Sequence, residues 1–414
     1  MPAAQEDLAF RLDHAVRLCL RSDVPVGIFL SGGLDSSLVA ESAARQGRLT
    51  TAYFLDFEDA RFSEYPWART VAAHLGLPLE RVVLTPAALA DFGNLVNHAD
   101  DPLADSSALA VWAIAKIAAK STKVVLTGDG GDEVFGGYLT YLATRLHRRF
   151  TAPLPRAARR MIARAGDHLP TTEGKVTLSY KAWRFLRALD LPSGEAHLSW
   201  NGTWLPRQAM ALVRPGATQD RVRDALRTVS EALEITRRSD LPHLQRADLI
   251  EYLPNNILVK TDRMTMAHGL ESRAPLLSAE LVNWALALPE HLRIGPRGET
   301  KRLLRSLART HFGPDIGNRA KQGFSIPIHR WIRGPLAETV RDLLSPASLE
   351  CLDVLEPRTI ERIADDHFRG RRSYGFELWG LAVLVAWHRS RVQHAPDPPV
   401  QRPLERRTFG LREA

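Results

Sequence analysis

Two cysteines in 414 residues, Cys19 and Cys351, are too few and too far apart to make a disulfide framework. Neither sits in a Cys-x-x-Cys or His-x₃-His arrangement, so no zinc site is encoded, and both read as small buried apolar side chains. The chain lacks any apolar run of about 18 residues, the length a membrane-crossing helix needs. Its first residues, Met1-Pro2-Ala3-Ala4-Gln5-Glu6-Asp7, have neither the basic nor the apolar block of a secretory leader. A cytoplasmic location is expected. No internal repeat is evident.

Arginine outnumbers acid in two stretches. Residues 145–164 hold seven Arg and no acid, and residues 388–414 hold six Arg against Asp397, Glu405 and Glu413. These account for the formal net charge of +8, and the rest of the chain is close to neutral. Nucleic acid is therefore not expected as a partner. The cluster at 145–164 reads as a solvated helix face and connecting loop, with binding of an anionic polymer or lipid headgroups as the alternative.

What is present is enough apolar content, 45%, for a large core. Four β-branched runs, at 24–30, 51–57, 81–84 and 123–127, alternate with helical stretches around 36–46, 63–75, 87–98 and 107–120. Alternation of this kind predicts an α/β fold, a parallel sheet with helices on both faces. Past about residue 140 strand signals fade, so a mostly helical second half is expected. The chain is read as one unit over 1–393, with the sheet core at about 20–140 and the helical part at about 141–393. A proline- and arginine-rich tail at 394–414 is expected to be disordered.

Functional sites of parallel sheets lie beyond the carboxyl ends of the strands. There the first run leads into Ser31-Gly32-Gly33-Leu34-Asp35-Ser36-Ser37. Gly32 and Gly33 allow the close backbone approach that a phosphate cradle needs. The N–H groups of the following helix point at the same spot, and the hydroxyls of Ser31, Ser36 and Ser37 add donors. No Lys follows the second glycine, so this is not the Walker pattern. Asp35 would repel a bound phosphate unless a divalent cation lay between them. The segment resembles the pyrophosphate loop of the ATP pyrophosphatases.

A second strand end carries Leu126-Thr127-Gly128-Asp129-Gly130-Gly131-Asp132-Glu133-Val134-Phe135-Gly136-Gly137-Tyr138, with five glycines and three acids. Together with Ser31–Ser37 it resembles the synthetase domain of glutamine-dependent asparagine synthetases. Residues 252–266, 270–277 and 319–327 are similar to the same family, and the likeness runs from about residue 5 to 390. The resemblance implies a two-step reaction. A substrate carboxylate, aspartate in the family, attacks the α-phosphate of ATP to give an acyl-adenylate and pyrophosphate; ammonia then attacks the acyl carbon to give an amide and AMP. It implies Mg²⁺ held by Asp35 and Asp132, and adenine or ribose held by backbone groups of Leu30, Leu55 and Gly128, beside Thr127. Lys301 and Lys321 match lysines that act on the phosphates and the acyl transition state, and Asp129 matches an acid placed to deprotonate ammonium. Glu133 is read as a supporting group.

Several positions depart from the family pattern. Pro2 stands where those enzymes carry the glutaminase cysteine, so ammonia from solution or from a separate glutaminase subunit is the expected nitrogen source. Asp56 replaces a common glycine, Ser106 a common proline and Ser278 a common aspartate. The Asp105 region is read as facing the substrate pocket. A lactam- or peptide-cyclising enzyme working on another acid is the alternative within the same chemistry. Sulfur transfer is disfavoured because neither cysteine lies near a strand-end motif. Assembly as a homo-oligomer is compatible with all of these readings.

Overall fold

A computed structural model describes residues 1–59, 61–166, 178–235, 239–319 and 326–391. Its centre is a five-stranded parallel sheet of β1 (Val26–Phe29), β2 (Leu49–Phe57), β3 (Leu79–Leu84), β4 (Val124–Leu126) and β5 (Glu271–Arg273), in the order β3-β2-β1-β4-β5. Helices α1 (Pro2–Cys19), α2 (Leu34–Arg45), α3 (Tyr65–His74), α4 (Phe92–His98) and α5 (Ala108–Ala118) surround its first four strands. The expected parallel sheet with helices on both faces is present.

Strand pleating divides the core. Val124 and Leu126 pack on one face with Leu8, Leu12 and Val16 of α1, whose four-residue spacing makes a single buried stripe. Each such fully buried aliphatic contributes about 1.5–3 kcal/mol. Val125, between them, enters the opposite core with Tyr53, Leu55 and Trp112 of α5. That second core is closed by the helix Gly375–Arg391, whose Trp379 is fully buried.

The strand order reverses between β1 and β4. From β1 the chain moves outward to β2 and β3, then returns to β4 on the other side, so the loops after β1 and β4 diverge and leave a crevice between them. β2 also overruns its neighbour. Phe29 at the end of β1 pairs with Tyr53, whereas β2 continues to Phe57 beside β3. Tyr53 turns its carbonyl to β1, where it accepts from the Leu30 N–H at 2.9 Å. By the two-residue repeat of a strand, the Leu55 backbone faces the same side, beyond the end of β1.

β5 corrects the expectation that strands end near residue 140. It is a three-residue polar edge strand, Glu271-Ser272-Arg273, with none of the β-branched residues that signal a strand. Pairing fixes it: Leu126 lies opposite Arg273, and the Thr127 N–H donates to the Arg273 carbonyl at 2.8 Å. Among the described residues, the other regular elements of the second half are helices, apart from a single antiparallel bridge between Val213 and Leu355. One part, Asp248–Leu258, is a π-helix with Pro254 inside it, and it runs directly into the helix Val259–Met266. Both cysteines are half-buried and free, not buried as expected, and burial raises the pKa of the Cys19 thiol. The tail at 394–414 lies outside the described residues.

Candidate active site

Beyond the carboxyl ends of β1 and β4 lies a cavity of about 470 Å³. One wall is apolar, from Phe29, Phe54, Leu55 and Ile114; the other is ionic, with Asp35, Asp129, Asp132, Lys260, Lys301 and Arg319. Leu30, Ser31, Gly33, Ser36, Thr127 and Gly128 line it as well.

The first loop is knitted by its own hydroxyls. Ser31 N–H donates to Ser36 Oγ at 3.2 Å, Gly33 N–H donates to Ser31 Oγ at 3.2 Å, and the two serine oxygens are 3.0 Å apart. Gly32 has φ +67°, and a Cβ there would lie 2.5 Å from the Ala68 nitrogen. Its carbonyl accepts from Arg319, whose guanidinium also pairs with Glu64 at 2.8 Å and covers the Trp67 ring at 5.3 Å. Ser37 differs from expectation: it is fully buried at the base of α2 rather than lining the cavity, because the first helical turn carries it under the loop.

The second loop presses its glycines onto the first. A Cβ on Gly128 would come 2.8 Å from the Ser36 nitrogen, and one on Gly131 would come 2.5 Å from Asp35 Oδ1. That contact explains the glycine-rich run, since no larger residue allows the loops to meet. Gly131 opens the short helix α6 (Gly131–Phe135), which places Asp132 in its first turn.

Lys301 joins the two loops. Its Nζ lies 2.5 Å from Asp35 Oδ2 and 2.6 Å from Asp132 Oδ1, and the side chain is almost fully buried. Burial alone would depress its pKa, but the carboxylates of Asp132 and Asp35 outweigh that and raise it. The ammonium is therefore permanently charged. Lys301 has φ +54°, a left-handed backbone that a non-glycine residue rarely adopts, directly before the helix Arg302–Gly317.

Asp129 is held by two threonines, accepting from Thr127 Oγ1 at 3.0 Å and Thr261 Oγ1 at 3.2 Å. Burial raises its pKa, with nearby Lys260 pulling the other way. Glu133 accepts from the Tyr138 hydroxyl at 2.5 Å, and burial together with Asp132 pushes it up to about 7. Asp105 accepts from Lys260 Nζ at 2.7 Å and from Ser107. Burial would raise its pKa, yet Lys260 and these hydrogen bonds hold it below the usual carboxylate range.

Sequence reasoning thus finds Leu30, Ser31, Gly33, Asp35, Ser36, Leu55, Thr127, Gly128, Asp129, Asp132 and Lys301 at one cavity. It passes over Lys260, Thr261, Arg305 and Arg319, which converge there from the helical half. The only signal for Lys260 was its place in the family-like run 252–266. Asp56 is not a site group: it turns to β3, where Arg81 pairs with it at 2.6 Å. Lys321 lies outside the described residues.

As a donor set for a divalent cation, Asp35 and Asp132 fit. They are hard carboxylate oxygens from two loops converging on one point, the chemistry Mg²⁺ selects. Arg305 and Arg319 supply fixed positive charge on the same wall.

Parallel topology, a glycine-walled crevice at the reversal of strand order and the acids that line it define an α/β protein with a strand-end pocket. The asparagine synthase family profile matches residues 7–389, and the chain belongs to that family. It is 29% identical, over 94% of its length, to an asparagine synthetase [glutamine-hydrolyzing] of Bacillus subtilis. It is 31% identical, over 97%, to a putative asparagine synthetase of Mycobacterium tuberculosis. A fungal amidase of Penicillium rubens is 27% identical over 86% of the chain. The chain spans about 60% of the length of the two bacterial relatives and 57% of the fungal one.

Proposed function

We propose that the protein is an ATP-dependent, AMP-forming amide ligase that activates a carboxylate, with aspartate as the first candidate, and transfers the acyl group to ammonia. One observation carries this reading: two carboxylates from separate strand-end loops, Asp35 and Asp132, share one buried lysine beside a glycine-walled cradle.

In this scheme the Ser31–Ser37 loop binds the β- and γ-phosphates through backbone N–H groups and the Ser31 and Ser36 hydroxyls. Asp35 and Asp132 would hold Mg²⁺, which would supply charge neutralisation for the departing pyrophosphate. Lys301, Arg305 and Arg319 add positive charge to the same departing group. The Leu55 backbone, beyond the end of β1, and the Gly128 backbone take adenine and ribose in this scheme. Leu30 offers its carbonyl only, because its N–H is engaged by Tyr53. Asp129, with its raised pKa, accepts the proton of the attacking ammonium. Lys321, by family likeness, acts at the acyl transition state.

A separate glutaminase subunit is the proposed source of ammonia in a cell, in line with the glutamine-hydrolysing names of the bacterial relatives. The fungal amidase relative favours a second reading, amide formation on another acid. Incubating the protein with ATP, Mg²⁺, ammonium and a panel of carboxylic acids tests both. AMP and pyrophosphate are expected as products, and ADP as the main product would overturn the proposal. Turnover with aspartate separates the first reading from the second.

A further inference from the structure

Five large apolar side chains, Leu139, Leu146, Phe150, Leu154 and Met161, stand exposed within residues 139–161. The same region carries the seven Arg of 145–164 and no acid. These two features occupy the same stretch of chain. The helix Leu139–Leu146 continues into the wider turn His147–Thr151, and the helix Arg156–Gly166 follows. Both segments are anchored from inside by one carbonyl: His147 Nε2 lies 3.1 Å from the Leu191 oxygen, and Arg159 Nη1 donates to the same atom at 3.3 Å.

With His147 and Arg159 turned inward, Arg148, Arg149 and Phe150 of one segment and Arg156, Arg160 and Met161 of the other remain outside. Phe150 is 60% exposed and Met161 69%. Among the described residues, Glu290 lies 3.9 Å from Arg145, and Asp240, which pairs with His243, also feels the charge of Arg148.

We propose that this face docks the protein on an anionic lipid surface. Charge complementarity selects an anionic occupant, and the apolar tips select lipid. At a bilayer interface, bulky apolar side chains enter the acyl boundary while guanidinium groups meet headgroup phosphates. Contacts to a nucleic-acid backbone come from cationic and polar groups, which gives Leu154 and Met161 no partner along the phosphates. A tight protein interface gathers its apolar anchors into one desolvated centre, whereas here guanidinium groups alternate with them. The proposal is independent of the acid that the cavity activates.

Co-sedimentation of the full chain with vesicles of phosphatidylcholine, alone or mixed with phosphatidylglycerol, tests it. The protein is expected to pellet with the mixed vesicles and to stay in solution with the neutral ones. Reversing three charges in R148E/R149E/R160E should lower partitioning on the order of 100-fold. The F150S/M161S pair should weaken it too, and the melting temperature of both variants should stay unchanged because every altered side chain is exposed. No binding to mixed vesicles, equal binding to neutral ones, or binding untouched by F150S/M161S would overturn the proposal. Heparin retention without vesicle binding would assign the face to an anionic polymer instead. ATP–pyrophosphate exchange in vesicle-free buffer reads the cavity separately, so docking and catalysis can fail independently.

Discussion

Lys301 Nζ lies 2.5 Å from Asp35 Oδ2 across 266 residues of sequence. The same ammonium reaches Asp132 at 2.6 Å, so one side chain from the helical half ties together both loops of the sheet. Lys301→Ala leaves two carboxylates facing each other without their cation. Loss of one partner from such a buried group typically removes about 3–5 kcal/mol of stability. A large drop in the denaturation midpoint is expected, with Mg²⁺ restoring part of it through Asp35 and Asp132. A midpoint that ignores both the substitution and the metal would show the pair to be unimportant.

Asp35→Ala and Asp132→Ala each remove one proposed metal ligand while Lys301 keeps its other carboxylate. Each variant should stay folded by circular dichroism and lose pyrophosphate release. Release near the wild-type rate at ordinary Mg²⁺ concentration would remove that residue from the ligand set.

Gly137 offers a steric test. A Cβ there would sit 1.9 Å from Asp132 Oδ1 and 2.1 Å from Lys301 Cε, with no room for either to stay in place. Gly137→Ala should abolish adenylation by displacing the ion pair. Gly47, with φ +69° and open space around it, is the control. Gly47→Ala should cost about 1–2 kcal/mol of stability, the strain of a left-handed backbone, and leave activity intact. Equal activity in the two variants would count against the packed ion pair.

Asp129→Asn should slow amide formation more than pyrophosphate release, by on the order of 10² to 10⁴, the usual contribution of a general base. Rapid-quench measurement of both products separates the steps. Equal loss in both would give Asp129 a structural part alone, through its hydrogen bonds with Thr127 and Thr261.

Glu133 sets a pH dependence. Its carboxyl titrates near 7 in the folded protein, above the ordinary glutamate value, so the folded state holds a proton that the unfolded chain has released. Stability from this group is complete below the unfolded value and declines as pH rises toward 7. Glu133→Gln keeps an acceptor for Tyr138 and removes the titration. The variant should gain on the wild type between about pH 4.5 and 7, on the order of 3 kcal/mol at most. Urea melts at the two ends of that window measure it, and a constant difference would refute the assignment.

The sheet half of the site was readable because its chemistry is local. Ser31–Ser37 and Thr127–Asp132 each combine a strand end, glycines and acids within a few residues, and strand-end loops of a parallel sheet converge by topology alone. Lys260, Arg305 and Arg319 left no such trace. A buried lysine and an exposed one look alike in sequence, and Lys260 is distinguished only by Asp105 and Ser107, which approach it across more than 150 residues. β5 was missed for a related reason: its pairing with β4 and not its polar sequence makes Glu271–Arg273 a strand. Asp56, which replaces a common glycine of the family, is kept out of the cavity by its pairing with Arg81 of β3.

The helix Gly375–Arg391 closes the core on one face of a sheet whose first four strands are complete by Leu126. During synthesis that face stays without this cover until residues 375–391 have been made, and Tyr53, Leu55 and Trp112 wait for Trp379 and its neighbours. The nascent chain therefore carries a long-lived apolar surface, of the kind that chaperones bind and that aggregation exploits.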